Sequence, residues 1–311
     1  MTPPRRGVLH TLAVDLTTAA VWQPFSEHGI EAILLKGPSI SRWLYADEHL
    51  RDYADTDLLI HPNQFSAAVR LLRSAGAEPT AAKVPDVDPR AAIEVSLRHP
   101  TTGVAIDLHR TIAGLESDAE AVWTRWSSGA TTMLVGGRDV LVPDEACRLL
   151  HICLHAAIDQ GASARTARDL HVALQTRTFG EWEAAADVAR ELGGEQVMRV
   201  GLELEPEGRE LAEKLGLPRA TSVAAHLLRR GLPNEAVAGQ FLTSNAPSTA
   251  KIAWLHRRWA APREDVRRWA AARGVQGTIP AYASWWWQGF RRLTRLLWAL
   301  ASRAVRGRSD R

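Results

Sequence analysis

Apolar residues recur at helical spacing over residues 8 to 28, at Leu9, Leu12, Val14, Leu16, Ala19, Val21 and Phe25, and Gly29 stands where such a helix would stop. The run "EAILLKG" then has the shape of a short buried strand ending at Gly37. Residues 38 to 50 are richer in polar positions and suit a helix or loop. "DTDLLIHP" restores the strand pattern and is closed by Pro62. Residues 63 to 76 return to the helical period, with Phe65, Val69, Leu71 and Leu72 on the apolar side and Gly76 as terminator.

Two alternating apolar runs, "AAIEVSLRHP" and "TTGVAIDLHR", are joined by His-Pro-Thr-Thr-Gly, which is hairpin chemistry. "TTMLVGGRDVLVP" predicts a second hairpin bending at Gly136-Gly137. From Asp144 onward the period becomes helical: 144 to 158, 163 to 176, 180 to 192, 195 to 202, and 208 to 230 with breaks. This predicts an α/β unit over 1–143 built on a small mixed sheet flanked by helices, a helical domain over 144–240, and a tail over 241–311. No fixed period marks a solenoid.

Composition and charge change this picture mainly in the tail. At 311 residues and 46% hydrophobic positions the chain is an ordinary globular protein with room for two domains. From Lys251 to Arg311 there are 14 Lys/Arg and 3 Asp/Glu, a charge of +11, which leaves −8 for residues 1 to 250. That stretch also holds seven of the twelve tryptophans. In "SWWWQGFRRLTRLLWALASRAVRGR", Trp286, Phe290, Leu293, Leu297 and Leu300 fall along one side, and Arg291, Arg295, Arg303 and Arg306 fall away from it. Residues 281–306 thus offer a surface to an anionic membrane or a partner groove, or dock on the protein itself and leave a solvated basic face. Arginine interleaved with tryptophan also permits phosphate contacts and base stacking, but no RNA or DNA motif accompanies it, so nucleic acid is not the expected partner.

The two cysteines, Cys147 and Cys153, have neither redox nor zinc-knuckle spacing, which suits a reducing, cytoplasmic setting. The N-terminal apolar stretch is interrupted by His10 and Asp15 and resembles an amphipathic helix more than a signal sequence. No run of 18 uncharged apolar residues predicts a membrane span. The expected location is the cytoplasm, with peripheral membrane contact through the tail as a further option. Cys147, His151 and His155 recur every four residues on one helical stripe. Without a fourth ligand or the glutamate of HExxH they are expected to be packing residues, with Asp169 capping or pairing with one of the histidines.

The candidate chemistry lies in "LLKGPSISRWLYADEHLRDYADTDLLI", residues 34 to 60. Strand alternation places Asp55 and Asp57 on one face, a few ångströms apart, where two carboxylates repel unless a cation sits between them. Asp107, inside the apolar run "VAIDLHR", is the candidate third carboxylate. Such a set suits Mg²⁺ (or Mn²⁺) with substrate phosphates. Asp57→Asn is then expected to abolish metal-dependent turnover and to leave the fold intact or slightly stabilised by relief of repulsion. Lys36 and Gly37, at a strand end before a helix, offer a charge and an approachable backbone to phosphate.

The order of strand, glycine turn, helix, DxD strand and third aspartate strand resembles the nucleotidyltransferase superfamily of DNA polymerase β-like enzymes. More closely, "LLKG", Tyr45, "LRDYADTDLLI" and "IDLH" are similar to the family described as uncharacterised nucleotidyltransferases, with "LLHICLH" and "RDL" at the positions of later helical motifs. The resemblance spans about residues 5 to 175, and Pro38-Ser39 departs from the glycine-serine turn of the superfamily. It implies that Lys36, Gly37, Ser39 and Arg51 serve the nucleotide, with Arg51 contacting phosphate or ordering the DxD strand. It also implies that Asp55, Asp57 and Asp107 hold the metal and carry catalysis, and that Asp107 takes the proton of the nucleophile. His109, on the face of Asp107, would stand behind the metal ligands as a partner. The implied reaction is NMP transfer from an NTP to an acceptor. Relatives that accompany peptide-modifying pathways, lasso peptides among them, point to a ribosomal peptide or small natural product as acceptor. The rivals are a non-catalytic peptide- or membrane-binding protein on the same fold and an ATP-dependent phosphotransferase.

Overall fold

The computed structural model describes residues 5–47, 51–80, 93–160, 162–219, 221–233, 235–236, 239–240, 248–249, 251–252, 256, 263–271 and 273–309. Helix α1 (Arg5–Glu27) leads into β1 (Ala32–Leu34), α2 (Pro38–Leu44), β2 (Asp55–Ile60) and α3 (Phe65–Ser74). Strands β3 (Glu78–Pro79), β4 (Glu94–Arg98) and β5 (Ala105–His109) complete a five-stranded sheet of order β1-β2-β5-β4-β3. Only the central pair, β2 and β5, is parallel; the other neighbours run antiparallel, so the sheet is mixed. Helix α4 (Ala119–Ser128) precedes a separate hairpin, β6 (Thr131–Val135) and β7 (Arg138–Val142), which bends at Gly136-Gly137 as its sequence predicts.

The helical layer follows: α5 (Glu145–Asp159), α6 (Ala164–Thr176), α7 (Phe179–Glu191), α8 (Glu195–Leu202), α9 (Pro206–Lys214) and α10 (Val223–Leu228), then α11 (Arg263–Ala271) and the long α12 (Thr278–Ser309). Their starts are written in the sequence. Asp118 and Asp144 accept the Ala121 and Cys147 amides at the heads of α4 and α5, and Thr178 with Glu181 forms a capping box on α7.

Each face of the sheet has its own core. On one, Leu58, Ile60, Ile106 and Leu108 pack with Phe25 of α1, Phe65 and Leu72 of α3, and Val135 and Val140 of the hairpin. On the other, Ile33, Leu35 and Leu59 join the helices in a cluster that reaches Ala236, so the change of period at 143 falls inside one continuous core. Helix α5 is central there, packing on α6, α7 and α8. Of the helix or loop expected over 38–50, α2 is the helical part, and residues 48–50 lie outside the described residues. The same holds for much of 241–262 and for the side chains of Leu293, Leu297, Leu300, Arg303 and Arg306.

Candidate active site

Strand alternation decides which face carries the chemistry. Leu58 and Ile60 turn to the α1/α3 side, so Asp55 and Asp57 share with Leu59 the face that looks to the helical layer. The parallel register aligns Asp57 with Asp107 and Asp55 with Ala105, and the antiparallel register sets Ser96 beside Asp107 and Glu94 beside His109. The three aspartates named from sequence therefore meet on two adjacent strands of one face. A fourth carboxylate, Glu94, joins them. The alternation of "EVSLR" carries that signal, since Glu94, Ser96 and Arg98 are its polar positions.

Asp57 is 1% exposed and is held from two sides. Lys36 Nζ donates to its Oδ1 at 2.8 Å, and His109 Nε2 meets the same oxygen at 3.0 Å. Asp57 Oδ2 is buried with no hydrogen-bond partner. Burial pushes the Asp57 carboxyl up, but Lys36 and His109 outweigh it and hold the group well below the ordinary carboxylate range. Asp55 moves the other way: burial, then the charges of Asp57 and Asp107, raise its pKa against the pull of Lys36 and Arg165. Burial lowers the pKa of His109, yet Glu94, 3.9 Å from Nδ1, and Asp57 raise it on balance. His109 thus stands behind Asp57, one of the expected metal ligands.

Gly37 heads α2 at φ 62° and ψ −120°, a conformation that side-chain-bearing residues avoid, and a Cβ there would stand 3.4 Å from the Tyr53 ring. Ser39 is fully buried, its Oγ without a hydrogen-bond partner. Arg51 is also buried, and its Nε and Nη2 donate to the two oxygens of Asp169 on α6, each at 2.7 Å. Its Nη1 points to the Gly37 carbonyl at 3.4 Å, and Tyr45 Oη donates to Asp169 Oδ1 at 2.7 Å. Arg51 is accordingly committed to tying the glycine turn to the helical layer. Asp169 pairs with Arg51 and Tyr45, not with a histidine, which corrects the sequence expectation.

Helix α5 brings a further pair towards this face. Burial first, then the positive charge of Lys36, depress both His151 and His155, the latter to about 3, so both are neutral imidazoles. His151 Nδ1 is buried without a partner, and His155 Nδ1 lies 3.3 Å from Thr166 Oγ1. The four-residue spacing placed them on one stripe; it did not say that the stripe fronts the carboxylates. Cys147 and Cys153 are buried, their thiols raised by burial, and they take no part in the site.

Among the described residues, no three His, Cys, Asp or Glu side chains are gathered so as to hold a metal ion, and one oxygen of Asp57 is taken by Lys36 and His109. The donor set still fits a hard divalent cation. It is all oxygen, one buried oxygen of Asp57 is unclaimed, and a cation would offset both the burial and, after it, the repulsion from Asp57 and Asp107 that raise Asp55.

No curated protein matches the chain. Among solved structures, a similar one is an antigenic nucleotidyltransferase-like protein from Paracoccidioides brasiliensis, 17% identical, with 68% of this chain and 95% of that chain covered and a TM-score of 0.38. The family model described as uncharacterised nucleotidyltransferase matches residues 8–207. That span takes in the glycine turn, all three aspartates, Arg51 with its partner Asp169, and more than half of the chain, which therefore belongs to the family of uncharacterised nucleotidyltransferases.

Proposed function

We propose that the chain transfers NMP from an NTP to an acceptor, with Mg²⁺ or Mn²⁺ held by Asp55, Asp57 and Asp107. The observation that carries this reading is the convergence of the three carboxylates on adjacent strands β2 and β5, with Asp57 Oδ2 buried and unclaimed. When bound, the cation supplies neutralisation of the charge that develops on the departing pyrophosphate. Lys36 brings a further positive charge to the triphosphate from the strand end, and the Gly37 turn lets the backbone approach it closely. The acceptor oxygen or nitrogen forms a bond to the α-phosphorus as the bond to the β-phosphate breaks. The proton lost by the acceptor goes to the Asp107 carboxylate. Arg51, through Asp169, fixes the turn relative to the helical layer that closes the site.

The chemistry of a ribosomal peptide or a small natural product suits the acceptor role, each offering hydroxyl or amine nucleophiles. A second reading has one observation in its favour: Lys36 and His109 already satisfy one oxygen of Asp57, as a fold that had given up catalysis would do. Incubation with each NTP, Mg²⁺ or Mn²⁺, and a lysate or candidate peptide separates the two. The expected result is pyrophosphate release together with an NMP-sized mass gain on an acceptor, both absent from Asp55→Asn/Asp57→Asn. Release of ADP would instead mark γ-phosphoryl transfer. No product, with no metal-dependent NTP binding in calorimetry, would leave the binding-protein reading.

A further inference from the structure

Helix α12 has two unlike sides. Through Ala281 and Trp285, both buried, it packs on α11, where the Trp285 ring meets Trp269 edge-on at 5.2 Å between centroids and Arg273 lies over Trp269 at 4.6 Å. The helix is thus docked, as one of the sequence readings expects. Docking does not cover its other side. Ile279 is 83% exposed, Trp286 50%, Trp287 62% and Phe290 52%. At helical spacing these four fall together, and Trp286, Trp287 and Phe290 line one shallow concavity with Ala283. Large exposed apolar side chains grouped in this way mark an interaction surface, whereas scattered ones do not.

Charge narrows the partner. Arg291 and Arg295, both exposed, follow the aromatic group along the helix and are turned to its flank. From Val266 to Ser309 the sequence contains nine arginines and no aspartate or glutamate. A second copy meeting this face would set arginine against arginine, which disfavours self-association. Tryptophan and arginine are the side chains suited to the headgroup level of a bilayer, where the ring is half immersed and the guanidinium meets phosphate. Among the described residues no helix is long and apolar enough to cross a membrane, so α12 would lie along the surface.

We propose that the Ile279–Phe290 side of α12 binds an anionic lipid surface, with Trp286, Trp287 and Phe290 entering the headgroup layer and the long side chains of Arg291 and Arg295, off that side, reaching lipid phosphates from its flank. This surface is separate from the carboxylate site, and the test is independent of catalysis. Full-length protein is sedimented with vesicles of phosphatidylcholine alone or with about 30% phosphatidylglycerol, at low salt and at about 0.5 M NaCl. The expected result is co-sedimentation with the anionic vesicles only, weakened by salt. Trp286→Ala/Trp287→Ala/Phe290→Ala is expected to lose at least about tenfold in affinity with unchanged far-UV circular dichroism. Arg291→Gln/Arg295→Gln, which removes no packed group, is expected to lower affinity and flatten the salt dependence. The proposal is overturned by absence of vesicle binding, by equal binding to neutral vesicles, or by binding that neither variant changes. It is equally overturned if, without vesicle binding, the same face holds polyglutamate, RNA or a second copy of the chain.

Discussion

Two neighbouring aspartates of identical sequence spacing respond oppositely to removal, because the fold gives them opposite surroundings. Asp57 lies between Lys36 and His109, so Asp57→Asn leaves the half-buried Lys36 ammonium and the His109 ring facing a neutral amide. The expected loss is ~2–3 kcal/mol of unfolding free energy, reduced from the full cost of a broken buried pair because Lys36 is partly exposed. This reverses the expectation, drawn from repulsion alone, that Asp57→Asn would be neutral or stabilising. Asp55 is the residue that carries the repulsion, so Asp55→Asn is expected to leave stability unchanged or to raise it slightly. Urea denaturation of both variants near neutral pH compares them directly. A second residue-scale prediction concerns acid. Folded His155 titrates at about 3, whereas its unfolded value is 6.5, so between these the unfolded chain binds more protons. Its contribution is complete above pH 6.5 and is lost as pH falls toward 3, and His151 acts in the same direction. Unfolding free energies at about pH 7.5 and about pH 5 are expected to differ less in His155→Gln than in the parent chain. At this scale the sequence disclosed which residue types shared a face, through alternation of β2 and β5. It could not disclose that Lys36 would claim Asp57 or that Glu94 would face His109, since those pairs depend on strand order and register.

At the scale of elements, the contacts that place the site are long in sequence. Arg51 and Asp169 are separated by 118 positions, and their two-pronged pair joins the segment before β2 to α6. Alanine at either position is expected to cost ~3 kcal/mol, and the double substitution much less than the sum, because each single change strands a buried charge. Thermal denaturation of the two single variants and the double variant closes that cycle. Helix α8 approaches α5 so closely that a Cβ on Gly201 would meet the Cys153 carbonyl oxygen, and Gly201→Ala is expected to cost ~1–3 kcal/mol by forcing the helices apart. Differential scanning calorimetry of that variant reads the cost as a lowered Tm. Most elements were legible because each carried its own period, and α5, α6, α7 and α10 carried their own caps as well. Helix α4 was not: its buried side, Val122, Trp123 and Trp126, is too short to establish a helical period and ends in Ser127-Ser128-Gly129. The antiparallel hairpins followed from their turns, but the parallel pairing of β2 with β5, which unites the aspartates, is non-local, and no local pattern announces it.

Across the whole molecule, charge and chemistry are separated. Residues 1 to 250 are acidic overall and hold the carboxylates; residues 251 to 311 carry +11 and most of the tryptophans. The sequence showed that contrast, and the fold adds that α12 docks by one side and leaves aromatic rings on the other. Transfer of a nucleotidyl group at the proposed site of Asp55, Asp57 and Asp107 is distinguished from other phosphate chemistry by the position of the transferred phosphorus. Parallel reactions with NTPs labelled at the α- or the γ-phosphorus, with Mg²⁺ or Mn²⁺ and a lysate, are resolved by acceptor mass and label. The expected result is α-label on the acceptor, γ-label in released pyrophosphate, and neither product from Asp107→Asn. Transfer of the γ-label to the acceptor, or undiminished α-labelling by Asp107→Asn, would contradict it.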